Sequence, residues 1–181
     1  HFRWSGAAPT FTEEWNGEQL NITTDCPENQ QNCSLGYVVY LPGAAMADIH
    51  TNAGNIDIEG MTGELRLATS AGNVDVSGAQ GKVWSRVNNG NISVFGQSAE
   101  TDLQTDSGNI DLRFSTAPTQ VKVKTAAGNI DIVVPFGDTY AVRADTSSGQ
   151  RTVSVQQEST AVRHIDAQAS VGNVTVQHPQ N

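Results

Sequence analysis

Four aspartates, Asp57, Asp75, Asp111 and Asp131, stand at one position of a recurring Gly-Asn-(Ile/Val)-Asp motif. Repeated carboxylates of this kind are oxygen ligands for a hard cation, so Ca²⁺ is the single candidate cofactor and these four its weak candidate ligands. The competing role for the same row is a solvated acidic ladder that opposes aggregation. Ser93 interrupts the row, Thr152 and Thr175 replace Asp in the late copies, and the glycine-rich nonapeptide of calcium-binding β-rolls is absent. A second chemistry open to plentiful carboxylates is glycoside cleavage, in which two of them flank the scissile bond. Here they recur with the repeat and do not converge on one unique cluster. His1, His50, His164 and His178 are scattered, and no nucleophile elbow, zinc-protease helix or phosphate loop appears. No catalytic residue is assigned, and the chain reads as a non-enzyme.

Two further sets of residues bear on function. Cys26 and Cys33 bracket the polar segment Pro-Glu-Asn-Gln-Gln-Asn. A disulfide closing that small loop is the preferred reading, since no second Cys pair or nearby His completes a zinc site. It places the chain in an oxidising compartment, extracellular or at a cell surface. Phe95, Phe114, Phe136 and Tyr140 lie in or beside the loops that follow one strand of each repeat. Either they form an aromatic recognition edge, or they fold back over the corners of the fold.

The elements that must position these residues follow from a repeat. Thr-x-x-Gly-Asn-(Ile/Val)-Asp-(Ile/Val) occurs at residues 51–58, 69–76, 105–112, with Leu112 at its last position, and 125–132, with degenerate copies around Gly90, Gly149 and Gly172. The corner glycines at 54, 72, 90, 108, 128, 149 and 172 are spaced by 18, 18, 18, 20, 21 and 23 residues. Stacked coils whose loops lengthen toward one end have that signature. Apolar residues alternate within each copy, as in Ile56 and Ile58 or Val74 and Val76, so the segments are strands and not helices. A second strand before each Gly supplies the other wall, through Leu65 and Leu67, Val83, Ser85 and Val87, Leu103, and Val121 and Val123. Asn55, Asn73, Asn91, Asn109, Asn129 and Asn173 make a nearly complete row, interrupted by Gln150, that suits an amide ladder along the stack.

The predicted fold is therefore an all-β, single-domain β-solenoid of about seven coils. Residues 1–47 do not match the repeat and hold most of the aromatics. They read as an N-terminal, disulfide-containing cap within the same domain, with strands at 19–24 and 36–41, and residues 48–181 as the solenoid. Solenoids expose an open edge at each end. Because the chain stops soon after its last strand, the C-terminal coil reads as uncapped, and a homo-oligomer formed through it is a candidate.

Composition limits the partners. Ten Lys+Arg against 19 Asp+Glu give a formal charge of −9, which repels phosphate backbones and argues against nucleic acid. No stretch is long and apolar enough to span a bilayer, and His1 is preceded by no initiator Met or signal peptide. The expectation is a trimmed or mature piece whose membrane anchor lies outside this chain.

The repeats, with the Cys-flanked loop and the Tyr-Val-Val-Tyr-Leu-Pro-Gly segment at 37–43 before them, resemble the bacterial putative-adhesin family also called Toastrack domains, over roughly residues 18–181. The resemblance implies a β-solenoid attached to envelope domains, sometimes linked to envelope stress, with no catalytic motif to transfer. The reading is a non-enzymatic exported scaffold or adhesin-like interaction module, with an unidentified protein or envelope glycan as partner. Its rivals are a polysaccharide-active β-helix enzyme using a carboxylate pair and a calcium-binding β-roll-like module.

Overall fold

A computed structural model describes residues 10–25 and 36–180 in full, and the backbone alone of the short strands 2–4 and 33–35. The described residues contain no helix. The chain divides into two compact units, His1–Leu41 and Pro42–Asn181.

Among the described residues the first unit holds four strands. β1 (Phe2–Trp4) pairs antiparallel with β4 (Cys33–Leu35), and β2 (Thr10–Trp15) pairs antiparallel with β3 (Leu20–Asp25). The β2–β3 turn is set by Asn16, whose Oδ1 accepts the backbone N–H of Glu18 and of Gln19, a local bond that Asn makes readily. The ring of Phe11 meets that of Tyr37 edge-on, with centroids 6.3 Å apart. The strand expected at 19–24 is present as β3. The one expected at 36–41 is not, because residues 36–41 lie outside every strand: β-branched and aromatic residues favour a strand only where a ladder takes them in. The pairing of Cys26 with Cys33 lies outside the described residues.

The second unit is the solenoid. Its strands, in chain order, are β5 (Ala47–Ala53), β6 (Ile56–Glu59), β7 (Leu65–Ala71), β8 (Val74–Ala79), β9 (Val83–Asn89), β10 (Ile92–Gly96), β11 (Glu100–Ser107), β12 (Ile110–Phe114), β13 (Gln120–Ala127), β14 (Ile130–Val133), β15 (Ala141–Ser148), β16 (Arg151–Ser154), β17 (His164–Val171) and β18 (Val174–Gln177). Each odd strand and the even strand after it form one coil, so β5 and β6 are coil 1, and β17 and β18 are coil 7. The odd strands make one seven-stranded sheet and the even strands another, and all pairings within both are parallel. Equivalent residues stack in register: Ile56, Val74, Ile92, Ile110, Ile130 and Val174 form one column. Val74, Ile92, Ile110 and Val174 in that column are fully buried, and burying such a side chain contributes about 1.5–3 kcal/mol.

The stacking order is not the chain order. β14 pairs with β18 and β18 with β16, while β13 pairs with β17 and β17 with β15. Along the stack the coils therefore run 1, 2, 3, 4, 5, 7, 6, with the last coil in sequence inserted between the two before it. This corrects the expectation of an open C-terminal coil. Coil 7 has a neighbour on each side, and coil 6 is the end of the stack. Its inward position next to Val174 is filled by Arg151, which is exposed, whereas every other described residue in that column is apolar.

The corner motif explains how the coils hold their spacing. Each corner Gly from Gly72 onward packs its Cα against the carbonyl of the corner Gly on the adjacent coil. A Cβ on Gly108 would lie 2.0 Å from Gly90 O, at a φ of +153°. Only Gly tolerates both the contact and the backbone angle. The motif's Thr points inward and donates its hydroxyl to that same row of carbonyls, as Thr105 to Gly90 at 3.0 Å and Thr146 to Gly172 at 2.8 Å. The following Asn Oδ1 accepts the backbone N–H of the next Asn. The bonds run from Asn73 N to Asn55, Asn91 to Asn73, Asn109 to Asn91, Asn129 to Asn109, Asn173 to Asn129 and Gln150 to Asn173, at 2.8–2.9 Å. Gln150 thus ends the ladder and does not interrupt it.

Candidate functional site

Strand parity decides where each candidate side chain goes. In β12 the residues Ile110, Leu112 and Phe114 share the inward parity, so Phe114 is 5% exposed. In β10 the inward residues are Ile92 and Val94, so Phe95 points outward and is 54% exposed. Tyr140 is fully buried, and Phe136 is 63% exposed on its loop. The expected aromatic edge is thereby corrected: Phe114 and Tyr140 are core residues, and only Phe95 and Phe136 remain at the surface. Phe136 stacks on His178 at 4.4 Å between centroids, and His178 Nδ1 lies 3.0 Å from Val134 O.

Burial raises the Tyr140 phenol above its ordinary pKa, the negative charge of Asp138 adds to this, and Arg163 opposes it. Among the described residues its hydroxyl has no hydrogen-bond partner, and neither has that of Ser85, which is buried in the inward column of the odd-strand sheet.

The even-strand sheet presents the acidic row on its outer face. Asp57 pairs in register with Asp75, then come Ser93, Asp111 and Asp131, and beyond Asp131 the row continues through Thr175 to Thr152. The row is thus two pairs of carboxylates separated by Ser93, and Asp131 also accepts the side-chain amide of Gln177 at 3.1 Å. Among the described residues no three His, Cys, Asp or Glu side chains are placed to hold a metal ion.

The odd-strand sheet has a mixed outer face. Arg86 lies over the ring of Trp84, 4.4 Å from its centroid, and reaches to the next coil. There its guanidinium donates to Asp102 Oδ1 at 2.9 Å and to Asp102 O at 3.2 Å. Lys82 meets Glu100 at 2.6 Å, and Arg143 meets Asp145 at 2.9 Å. A hydrogen bond to each carboxylate, reinforced by its charge, raises the pKa of Lys82 and of Arg143. A shallow polar groove of about 280 Å³ crosses the inverted junction, lined by Lys124 of coil 5, Gln168 and Ser170 of coil 7, and Arg143, Asp145 and Ser147 of coil 6. The rows of alternating charge are visible in the sequence. The groove's lining is not, since Gln168 lies between Lys124 and Asp145 in their row only because coil 7 stacks between coils 5 and 6.

Residues 44–177 match the family described as Toastrack DUF4097, a domain of β-strand repeats. The chain belongs to that family. The Toastrack match starts three residues before β5 and ends at the last residue of β18, so it covers all seven coils and both outer faces. No curated protein and no solved structure matches the chain.

Proposed function

We propose that this Toastrack domain is a non-enzymatic, exported scaffold or adhesin-like interaction module of the cell envelope, held there by an anchor outside this chain. The observation that carries the reading is the surface itself. Two seven-stranded outer faces present polar side chains in straight rows one strand spacing apart, one row acidic and the others of mixed sign. A regular array of this kind engages a repetitive partner such as an envelope glycan, or an extended protein, over many weak contacts, which gain strength through multivalency.

The test is sedimentation of the purified protein with isolated bacterial envelope fractions and with their extracted polysaccharides. Saturable binding that leaves the glycan chain length unchanged is expected. Release of new reducing ends would replace the reading with a polysaccharide-cleaving enzyme. A melting temperature raised by Ca²⁺ and restored by chelator would replace it with a calcium-dependent structural module.

A further inference from the structure

Coil 7 is the last coil in the chain and an interior coil of the stack. Its strands β17 and β18 fill a slot between coils 5 and 6, with a parallel ladder on each side in both sheets. The slot is apolar within, and Val174, Val176, Ile165 and Ala167 of coil 7 complete its core. Coil 7 is joined to coil 6 by the connection that follows β16. That connection is pinned at its start, where Glu158 N donates to Tyr140 O at 3.1 Å. It is pinned again at its end, where Arg163 binds Asp138 Oδ1 at 2.9 Å and Ala117 O at 3.0 Å. Between these points Ser159, Thr160 and Val162 are exposed, and Val162, a large apolar side chain, is 85% exposed.

We propose that the partner for this slot is also the C-terminal coil of a second copy of the chain, so that two molecules exchange coil 7 and form a domain-swapped dimer. Every contact coil 7 makes in its own slot is available unchanged in the slot of a second copy, including the Arg163–Asp138 pair, so exchange sacrifices no native ladder. Only the segment 159–162 must change path, and fully extended, the five residue steps from Glu158 to Arg163 span about 17 Å. In a two-fold swapped dimer the two connecting segments run side by side, which brings Val162 of each copy into the shelter of the other. β15 and β16 pair with β17 and β18 and not with coil 5, so the edge of coil 5 stays open until a coil 7 docks on it, and at high concentration the nearest coil 7 belongs to another molecule.

The experiment places one cysteine on each side of the junction in a Cys26→Ser/Cys33→Ser background. Lys122 and Asp166 are register neighbours on coils 5 and 7. A chain carrying both Lys122→Cys and Asp166→Cys, folded when dilute, is expected to close its own cross-link with a short bismaleimide. Chains carrying only Lys122→Cys are then mixed unfolded with chains carrying only Asp166→Cys and refolded together. An interchain cross-link is expected in the dimer separated by size exclusion, in a fraction that grows at least several-fold over a tenfold rise in protein concentration. Monomers at every concentration would overturn the proposal, as would a dimer in which the mixed pair never joins. Closure of a Lys122→Cys/Arg143→Cys pair in place of the first would overturn the coil order on which the proposal stands.

Discussion

Replacing Gln150 and Asn173 by Ala, one at a time, tests the inverted coil order directly. In the structure Asn173 Oδ1 accepts the Gln150 backbone N–H at 2.9 Å, while its own N–H is held by Asn129 at 2.8 Å. No later coil presents an amide to Gln150. Asn173→Ala therefore leaves one corner N–H without its acceptor, and a bond of this type contributes about 0.5–1.5 kcal/mol net. For a domain of this size that corresponds to a fall in melting temperature of roughly 2–5 °C. Gln150→Ala removes a side chain that the ladder does not use, and its effect should lie within about 0.5 kcal/mol. Thermal and urea unfolding followed by circular dichroism measure both, and hydrogen exchange should show faster exchange at the Gln150 amide in Asn173→Ala alone. Stacking in chain order makes the opposite forecast, because Gln150 would then sit inside the ladder and Asn173 at its end. A costly Gln150→Ala beside a silent Asn173→Ala would refute the topology.

Gly108→Ala sets a Cβ 2.0 Å from Gly90 O at a φ of +153°; backbone strain of about 1–3 kcal/mol and a packing cost of about 1–3 kcal/mol should lower the unfolding midpoint in urea markedly. Phe114→Ala should cost about 3–5 kcal/mol by opening a core cavity. Phe136→Ala, on an exposed ring, should cost under about 1 kcal/mol in the same assay. Tyr140→Phe removes a buried hydroxyl that has no partner and should stabilise by roughly 1 kcal/mol. With the folded phenol's pKa raised, the wild type keeps this group's contribution below a pH of about 10. It loses the contribution at higher pH as the unfolded phenol ionises first, so Tyr140→Phe should flatten the alkaline fall in melting temperature. Arg151→Ile replaces the solvent-exposed charge on the end coil and should promote end-to-end association, seen as a larger mass by light scattering.

Most of the solenoid is legible in the sequence because its physics is local to one repeat. Alternation fixes which side chains face inward, and the Gly-Asn corner fixes where the chain bends. The register then follows, since shifting a strand by one residue would turn Ile56 and Ile58 to water. The same parity rule already separates Phe114, two steps from Leu112, from Phe95, one step from Val94. Nearness to a loop does not carry that distinction. Tyr140 lies just before β15 with no such frame to read it by, and its burial depends on the connection that returns after β16, where Tyr140 pairs with Gln157. The exposed acidic row is equally legible, whereas the lining of the polar groove, with Gln168 between Lys124 and Asp145, depends on coils 5, 6 and 7 stacking out of chain order.

Coil order is the property that a repeat motif does not encode. Each corner offers the same acceptor and the same glycine surface to whichever coil arrives, so the ladder bonds of coils 5, 6 and 7 would be almost equal in either order. What separates the two orders is the end position. Coil 6 carries Arg151 where the other coils carry Ile or Val, while coil 7 carries Val174 there, together with Ile165, which is buried. Stacked in chain order, coil 6 would hold the Arg151 guanidinium between Ile130 and Val174, and an ion taken out of water without a partner costs several kcal/mol. Placing coil 6 last leaves that charge in solvent and closes the apolar column with Val174. The spacings of 21 and 23 residues from coil 5 to coil 6 and from coil 6 to coil 7, against 18 among the first four coils, supply the longer connections that the detour requires.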